Sequence, residues 1–231
     1  MNASAPGRRP IKSRDMRLFQ RLAAWLASTS VTPNMISTAS MGFALVAGVA
    51  MACTSIVEND LIVRVLWILG IVGIQGRLIA NLLDGMVAVE GGKASPAGDL
   101  YNEVPDRVSD SIIFLGAGLA TGGRLDLGLA AALVAVFVAY VRAIGASVSA
   151  GQVFLGPMAK PQRMALTTLT CLLMACLPQS WQWNYEPYDL GIVSIALLMI
   201  TVGGLLTSVF RLRRIASTMR ENEAKQEAEH A

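Results

Sequence analysis

NLLDGMVAVEGGKASPAGDLYNEVPDRVSD, residues 81–110, holds six of the sixteen acidic residues of a chain that is otherwise mostly apolar. Asn81 and Asp84 stand three apart at the end of a long apolar run. Asn102, Asp106 and Asp110 stand four apart at the start of the next. On helices, spacings of three and four put side chains on one face. Two polar helix faces, joined by a Gly-rich connection, are therefore expected to point carboxylates and amides at one place. Ionised groups at the end of a membrane-length run are costly and mark a site more often than a surface.

The apolar runs on either side decide the fold class. The 231 residues are 54% hydrophobic and 15% charged, with a mean hydropathy of +0.52. A soluble domain of this size is less apolar and more charged. Crossing a hydrocarbon core takes roughly 20 apolar residues. Runs of about that length lie at 32–57, 61–83, 100–121, 125–150, 163–182 and 190–210. Backbone groups must pair internally in lipid, so these runs predict helices. The expected fold is an all-α membrane protein of six transmembrane helices with an N-terminal amphipathic surface helix. Residues 1–30 form a polar N-terminus and juxtamembrane helix in this reading, 31–212 the membrane domain, and 213–231 a polar tail. Cys53, Cys171 and Cys176 lie inside apolar runs and read as packing residues. The single histidine, His230, lies in the tail, which argues against a histidine-based catalyst. No cleavable signal peptide is expected, because the first thirty residues are basic and lack a compact apolar core.

Residues 1–14 are polar, with Pro and Gly, and are expected to be disordered. In 15–28, Met16, Phe19, Leu22, Ala23 and Leu26 recur at helical spacing, with Arg14, Arg17 and Arg21 off that stripe. This pattern predicts a helix at the membrane surface. Thr32 and Pro33 then read as cap and first turn of the first membrane helix. Arg77, Asn81 and Asp84 fall at i, i+4 and i+7, so Arg77 shares the face of the motif and needs an anionic partner. Pro105 sits in the first turns of the next helix, where it removes one backbone bond. Arg142 lies in an apolar stretch, and Lys160 and Arg163 follow in the connection AGQVFLGPMAKPQR, residues 150–163. The segment PQSWQWNYEPYDL reads as an aromatic belt at the membrane interface.

With six helices both termini share a side. That side collects six Lys/Arg in the first 21 residues, Lys93 and Arg107 around the motif, Lys160 and Arg163, and five after residue 210. The other side has Arg64 and Arg124. Positive charge is retained in the cytoplasm, so both termini and the motif are expected there, in a cell inner membrane. No second acidic motif repeats in the later helices, which argues against the repeated halves common among transporters.

Carboxylates and amide oxygens converging from two helices are hard ligands suited to magnesium, manganese or calcium. Arg77, Lys93, Arg107, Arg142, Lys160 and Arg163 supply cations for a polyanionic substrate. Gly85, Gly91, Gly92 and Gly98 would let backbone approach phosphates. A divalent site at a membrane face, ringed by Arg and Lys, fits phosphoryl transfer on a lipid nucleotide.

In these residues the chain resembles the CDP-alcohol phosphotransferases, whose pattern D-x2-D-G-x2-A-R-x8-G-x3-D-x3-D spans two helices. Without a gap, its four acidic positions fall on Asn81, Asp84, Asn102 and Asp106, its glycines on Gly85 and Gly98, and its alanine on Ala88. The TPN tripeptide ending at Asn34, the six helices, Arg142 and the GPMAKPQR connection extend the resemblance over roughly 30–210. It implies transfer of a phosphatidyl group from a CDP-linked lipid such as CDP-diacylglycerol to an alcohol, with release of CMP. It implies Mg2+ or Mn2+ on Asn81, Asp84, Asn102 and Asp106, with Asp106 as base for the acceptor hydroxyl, and Asp110, one turn beyond, is expected as a second catalytic carboxylate. Asn34, Arg77, Gly85, Ala88, Gly98, Arg142, Lys160 and Arg163 become the expected substrate-binding residues. Membrane lipids and a second copy of the chain are the expected partners; nucleic acid is not.

Two of the family's four aspartates are asparagine here, and the arginine after Ala88 is Val89. Asparagine offers a carbonyl oxygen without charge. Asp110, Asp99 and Glu103 add carboxylates near the same face. A second register, with a four-residue insertion, would make Asp106 and Asp110 the last two family aspartates but loses the glycine. Arg142, Lys160 and Arg163 favour a phosphorylated acceptor over a neutral one, and Lys160 and Arg163 equally suit lipid-headgroup anchoring. Three other readings stay open: a member that binds CDP-lipid or metal without turnover, a small ion or solute transporter, and carboxylates that only hold helices together.

Overall fold

The computed structural model describes residues 16–93, 96–185, 188 and 190–230, apart from the side chains of Glu90, Asp99, Gln179, Glu229 and His230. The expectations of disorder in residues 1–14 and of a role for Asp99 lie outside what is described. Among the described residues seven α-helices form: α1 (Arg17–Ala27), α2 (Pro33–Cys53), α3 (Asp60–Glu90), α4 (Gly98–Leu119), α5 (Leu125–Ser147), α6 (Lys160–Cys176) and α7 (Ile192–His230). Two-residue strands, β1 (Asn184–Tyr185) and β2 (Leu190–Gly191), pair antiparallel between α6 and α7. This ribbon is a small departure from the expected all-α fold. It sits in the Trp-rich segment, where Trp181, Trp183, Tyr185 and Tyr188 are exposed.

Local chemistry sets the helix starts. Thr32 accepts from Met35 N and Pro33 takes the first turn of α2, as the sequence predicts. Asn59 accepts from Ile62 N to open α3. Of the six expected spans, α2, α3, α5 and α7 are long and apolar enough to cross a membrane. Their outward faces carry Phe43, Val49, Val72, Leu133, Phe137, Met199 and Leu205, all exposed, as lipid-facing surfaces require. Two helices fall short of that measure for physical reasons. α4 carries Glu103, Asp106, Arg107 and Asp110 between its start and its middle turns, and α6 has 17 residues.

α2 packs against α3 and α4, α4 against α5, α5 against α7, and α3 against α6. The core gathers Met51, Trp67, Ile74, Phe114, Met164 and Leu197. α2 and α4 touch where Gly48 meets Gly116: a Cβ on Gly116 would lie 2.3 Å from Gly48 O. That approach brings the starts of both helices to the acidic motif. α1 lays Phe19, Leu22, Ala23 and Leu26 on Ala80, Leu83, Met86 and Val87 of α3. Four of the five residues of the expected stripe therefore dock on protein, while Met16, the fifth, is exposed, as are Leu18, Ala24 and Trp25. α3 runs to Glu90, seven residues past the expected end, so Gly85 and Ala88 lie on a helix and not in the Gly-rich connection. α7 likewise continues without a break through the polar tail.

Candidate active site

Two helix faces meet as the spacing predicts. Asp84 on α3 and Asp106 and Asp110 on α4 are buried, with exposures of 4%, 5% and 0%. α6 and its approach complete the site. Thr207 Oγ1 accepts from Met158 N at 2.9 Å, and Arg211 Nε donates to Leu155 O at 3.0 Å. These bonds pin the basic connection to α7 and deliver Lys160 as the first residue of α6. A cation at a helix N-terminus opposes the helix dipole and needs an anion beside it. Asp106 supplies it: Lys160 Nζ lies 2.5 Å from Asp106 Oδ2.

Asp106 is the hub. Its Oδ1 accepts from Asn81 Nδ2 at 2.8 Å and pairs with Arg77 Nη2 at 3.1 Å. Arg107 Nη2 stands 3.5 Å from Oδ2. Beneath it Asp110 pairs with Arg77 at 2.8 Å through Oδ1 and with Arg163 at 2.9 Å through Oδ2. Arg77 and Arg163 are fully buried, so each guanidinium needs these carboxylates. The 2.8 Å contact of Asp110 Oδ1 is an ion pair without hydrogen-bond alignment. Arg77 keeps its Nε and Nη1 without hydrogen-bond partners among the described residues.

Asp84 differs from the other two. It accepts from Ser37 Oγ at 2.6 Å and forms no ion pair among the described residues. Ser37 went unnoticed in the sequence; its one signal is its place, a turn beyond the TPN tripeptide. At the rim, Arg142 bonds Glu103 and lies over the Phe154 ring at 5.9 Å. Arg107 reaches the other oxygen of Glu103 at 3.4 Å.

The remaining expected residues divide. Asn102 lies one turn before Asp106 but is exposed and unbonded among the described residues. Asn34, Gly85, Ala88 and Gly98 are half-buried near the helix ends that frame the site. Lys93 is not brought to the site. Its Nζ donates to Thr29 O at 2.6 Å and Val31 O at 3.1 Å, tying the α1–α2 turn.

The donors do not fit a two-ion centre of four carboxylates. Among the described residues, no three acidic, His or Cys side chains converge as a metal-binding group. Asn81 presents its amide N–H to Asp106, the only sense in which an ionised, acceptor-only carboxylate can be met. Both Asp106 oxygens are already engaged by cations.

No family model matches the chain. It is 25% identical over 189 residues to the inner membrane protein YnbA of Escherichia coli K12, covering 80% of this chain and 90% of that protein. Its fold resembles that of the phosphatidylinositol phosphate synthase PgsA1 of Mycobacterium tuberculosis. Against the complex with manganese and citrate the TM-score is 0.66 at 16% identity, covering 85% of this chain and 88% of the other. Against the form with CDP-DAG bound it is 0.66 at 16%, covering 87% and 94%. Against the apo form it is 0.62 at 17%, covering 84% and 94%. The chain thus has the fold that its resemblance to the CDP-alcohol phosphotransferases implies.

Proposed function

We propose that this chain, sharing its fold with a phosphatidylinositol phosphate synthase, is a divergent CDP-alcohol phosphotransferase of the inner membrane. It moves a phosphatidyl group from a CDP-linked lipid, CDP-diacylglycerol in the simplest case, to an alcohol acceptor. All six helices from α2 to α7 cross the bilayer in this reading, with both termini and the site on the cytoplasmic side. The observation that carries it is the meeting of Asn81 on α3 with Asp106 on α4, in the register of the family pattern and beside Lys160, with Asp84 buried one turn on from Asn81.

The acceptor hydroxyl oxygen attacks the phosphorus that bears the diacylglycerol. A bond forms from that oxygen to phosphorus, and the bond from phosphorus to the bridging oxygen breaks. CMP leaves with the electron pair, and the hydroxyl proton passes to a carboxylate. Asp106 is the candidate base, since its side chain remains 7% exposed at the mouth of the cluster. Asp110, within the protein and paired on both oxygens, positions Arg77 and Arg163. Arg142, at the rim, suits a phosphate on the acceptor.

A second reading has its own support. Asn81, Asn102 and the cation-bound Asp106 equally describe a protein that holds CDP-lipid without turning it over. Acceptor-dependent CMP release, measured with glycerol 3-phosphate, inositol phosphate, inositol and serine, separates the two. Release lost in Asp84→Ala and Asp106→Ala supports the transferase. Retained CDP-diacylglycerol binding with no release from any acceptor supports the binder.

A further inference from the structure

The site carries fixed positive charge, and two of the four acidic positions of the family pattern are uncharged here, Asn81 and Asn102. Five cations face it: Arg77, Arg107, Arg142, Lys160 and Arg163. Among the described side chains, Glu103, Asp106 and Asp110 pair with them and Asp84 is a fourth, unpaired carboxylate. The sum is +1 before any ligand enters. A divalent cation would raise it to +3 in a partly buried cluster. A diphosphate carrying two negative charges would bring it to −1. Magnesium is commonly held by one or two carboxylates plus substrate phosphates, and Asp84 alone meets the lower count. Charge balance among the described side chains therefore favours an anion over a divalent cation entering alone.

Geometry agrees. Exposure rises in order from the floor to the mouth: Arg77, Arg163 and Asp110 at 0–1%, Asp106 at 7%, then Lys160 at 23% and Arg107 at 21%. Lys160 and Arg107 are the partners of Asp106 nearest the mouth. Lys160 holds Asp106 Oδ2 at hydrogen-bond distance, so an ammonium stands where a metal would coordinate that oxygen. Asn81 donates to Oδ1 where an aspartate would repel it. Arg77 has two further N–H positions unbonded among the described residues.

We propose that the diphosphate of the CDP-linked lipid is held by the cations around Asp106, Lys160 foremost with Arg107 and Arg77, so that it binds without a divalent metal ion. The proposal rests on the CDP-lipid reading above. The test uses the full chain in lipid nanodiscs, with CDP-diacylglycerol titrated in EDTA and again with excess Mg2+ or Mn2+. The expected dissociation constant in EDTA lies within about threefold of that with metal. Lys160→Met should weaken binding by at least about tenfold under both conditions, and Lys160→Arg should restore most of it. Binding that disappears in EDTA and returns with Mn2+ overturns this proposal while leaving the CDP-lipid reading intact. Absence of binding under both conditions overturns the two together. Unchanged binding by a folded Lys160→Met variant overturns the role of Lys160. The wild-type comparison in EDTA stands even where a variant fails to fold.

Discussion

Replacing Asp110 by asparagine removes one charge from the floor of the site without changing its shape. In the native protein Asp110 is 0% exposed and faces two guanidinium groups, Arg77 at 2.8 Å and Arg163 at 2.9 Å. Arg77 keeps Asp106 at 3.1 Å after the change. Among the described residues Arg163 keeps only the Met158 carbonyl at 3.4 Å, a long contact. Breaking a buried ion pair by neutralising one partner costs about 3–5 kcal/mol, because the other charge stays buried. The asparagine oxygen can still accept from one guanidinium, which puts the expected loss near the lower end, about 3 kcal/mol. Reversible unfolding in SDS–detergent mixtures reads this directly. The double variant Asp110→Leu with Arg163→Met removes the pair together and should be more stable than Asp110→Asn. A loss below about 0.5 kcal/mol in Asp110→Asn would refute the reasoning, since surface-like substitutions fall in that range. Full stability with abolished CMP release would return Asp110 to the catalytic role that its spacing suggested.

Three further outcomes follow from the geometry. Asp84→Asn should leave the unfolding midpoint nearly unchanged, since Asp84 carries no ion pair, yet lower CMP release by about a hundredfold or more, measured in single-turnover assays. Arg142→Met should raise KM for a phosphorylated acceptor by about tenfold, with the CDP-lipid dissociation constant unmoved, because Arg142 sits at the rim with Glu103. Gly116→Ala should cost about 1–3 kcal/mol in the same unfolding assay, since its Cβ would lie 2.3 Å from Gly48 O and the α2–α4 crossing would have to open.

Much of this arrangement is legible in the sequence, and the exceptions have physical causes. Helical spacing puts Arg77, Asn81 and Asp84 on one face of α3, and in the structure Arg77 and Asn81 from that face meet Asp106 of α4. Thr32 and Pro33 announce the start of α2 because capping is a local interaction. The end of α3 was harder to read: Gly85 and Ala88 suggest a connection, but neighbouring apolar residues packed under α1 keep the helix going to Glu90. Lys93 lies near the motif in sequence and is drawn away to the open carbonyls of Thr29 and Val31. Pairing partners were the least legible feature. Periodicity says that Asp106 and Asp110 share a face, but not that Arg77 and Lys160 share one carboxylate while Arg77 and Arg163 share the other. Ser37 was invisible for the same reason, since its bond to Asp84 crosses 47 residues.

The central claim is that the chain transfers a phosphatidyl group. Its most direct test is to incubate the purified full-length protein with CDP-diacylglycerol and a mixture of alcohol acceptors, then weigh the extracted lipids by mass spectrometry. The expected result is one new lipid whose mass equals the phosphatidyl group joined to one acceptor, formed by the wild type and absent with Asp84→Ala. Recovery of intact CDP-diacylglycerol bound to the protein, with no new lipid from any acceptor in EDTA, Mg2+ or Mn2+, would contradict the claim and identify a binding protein on the transferase fold.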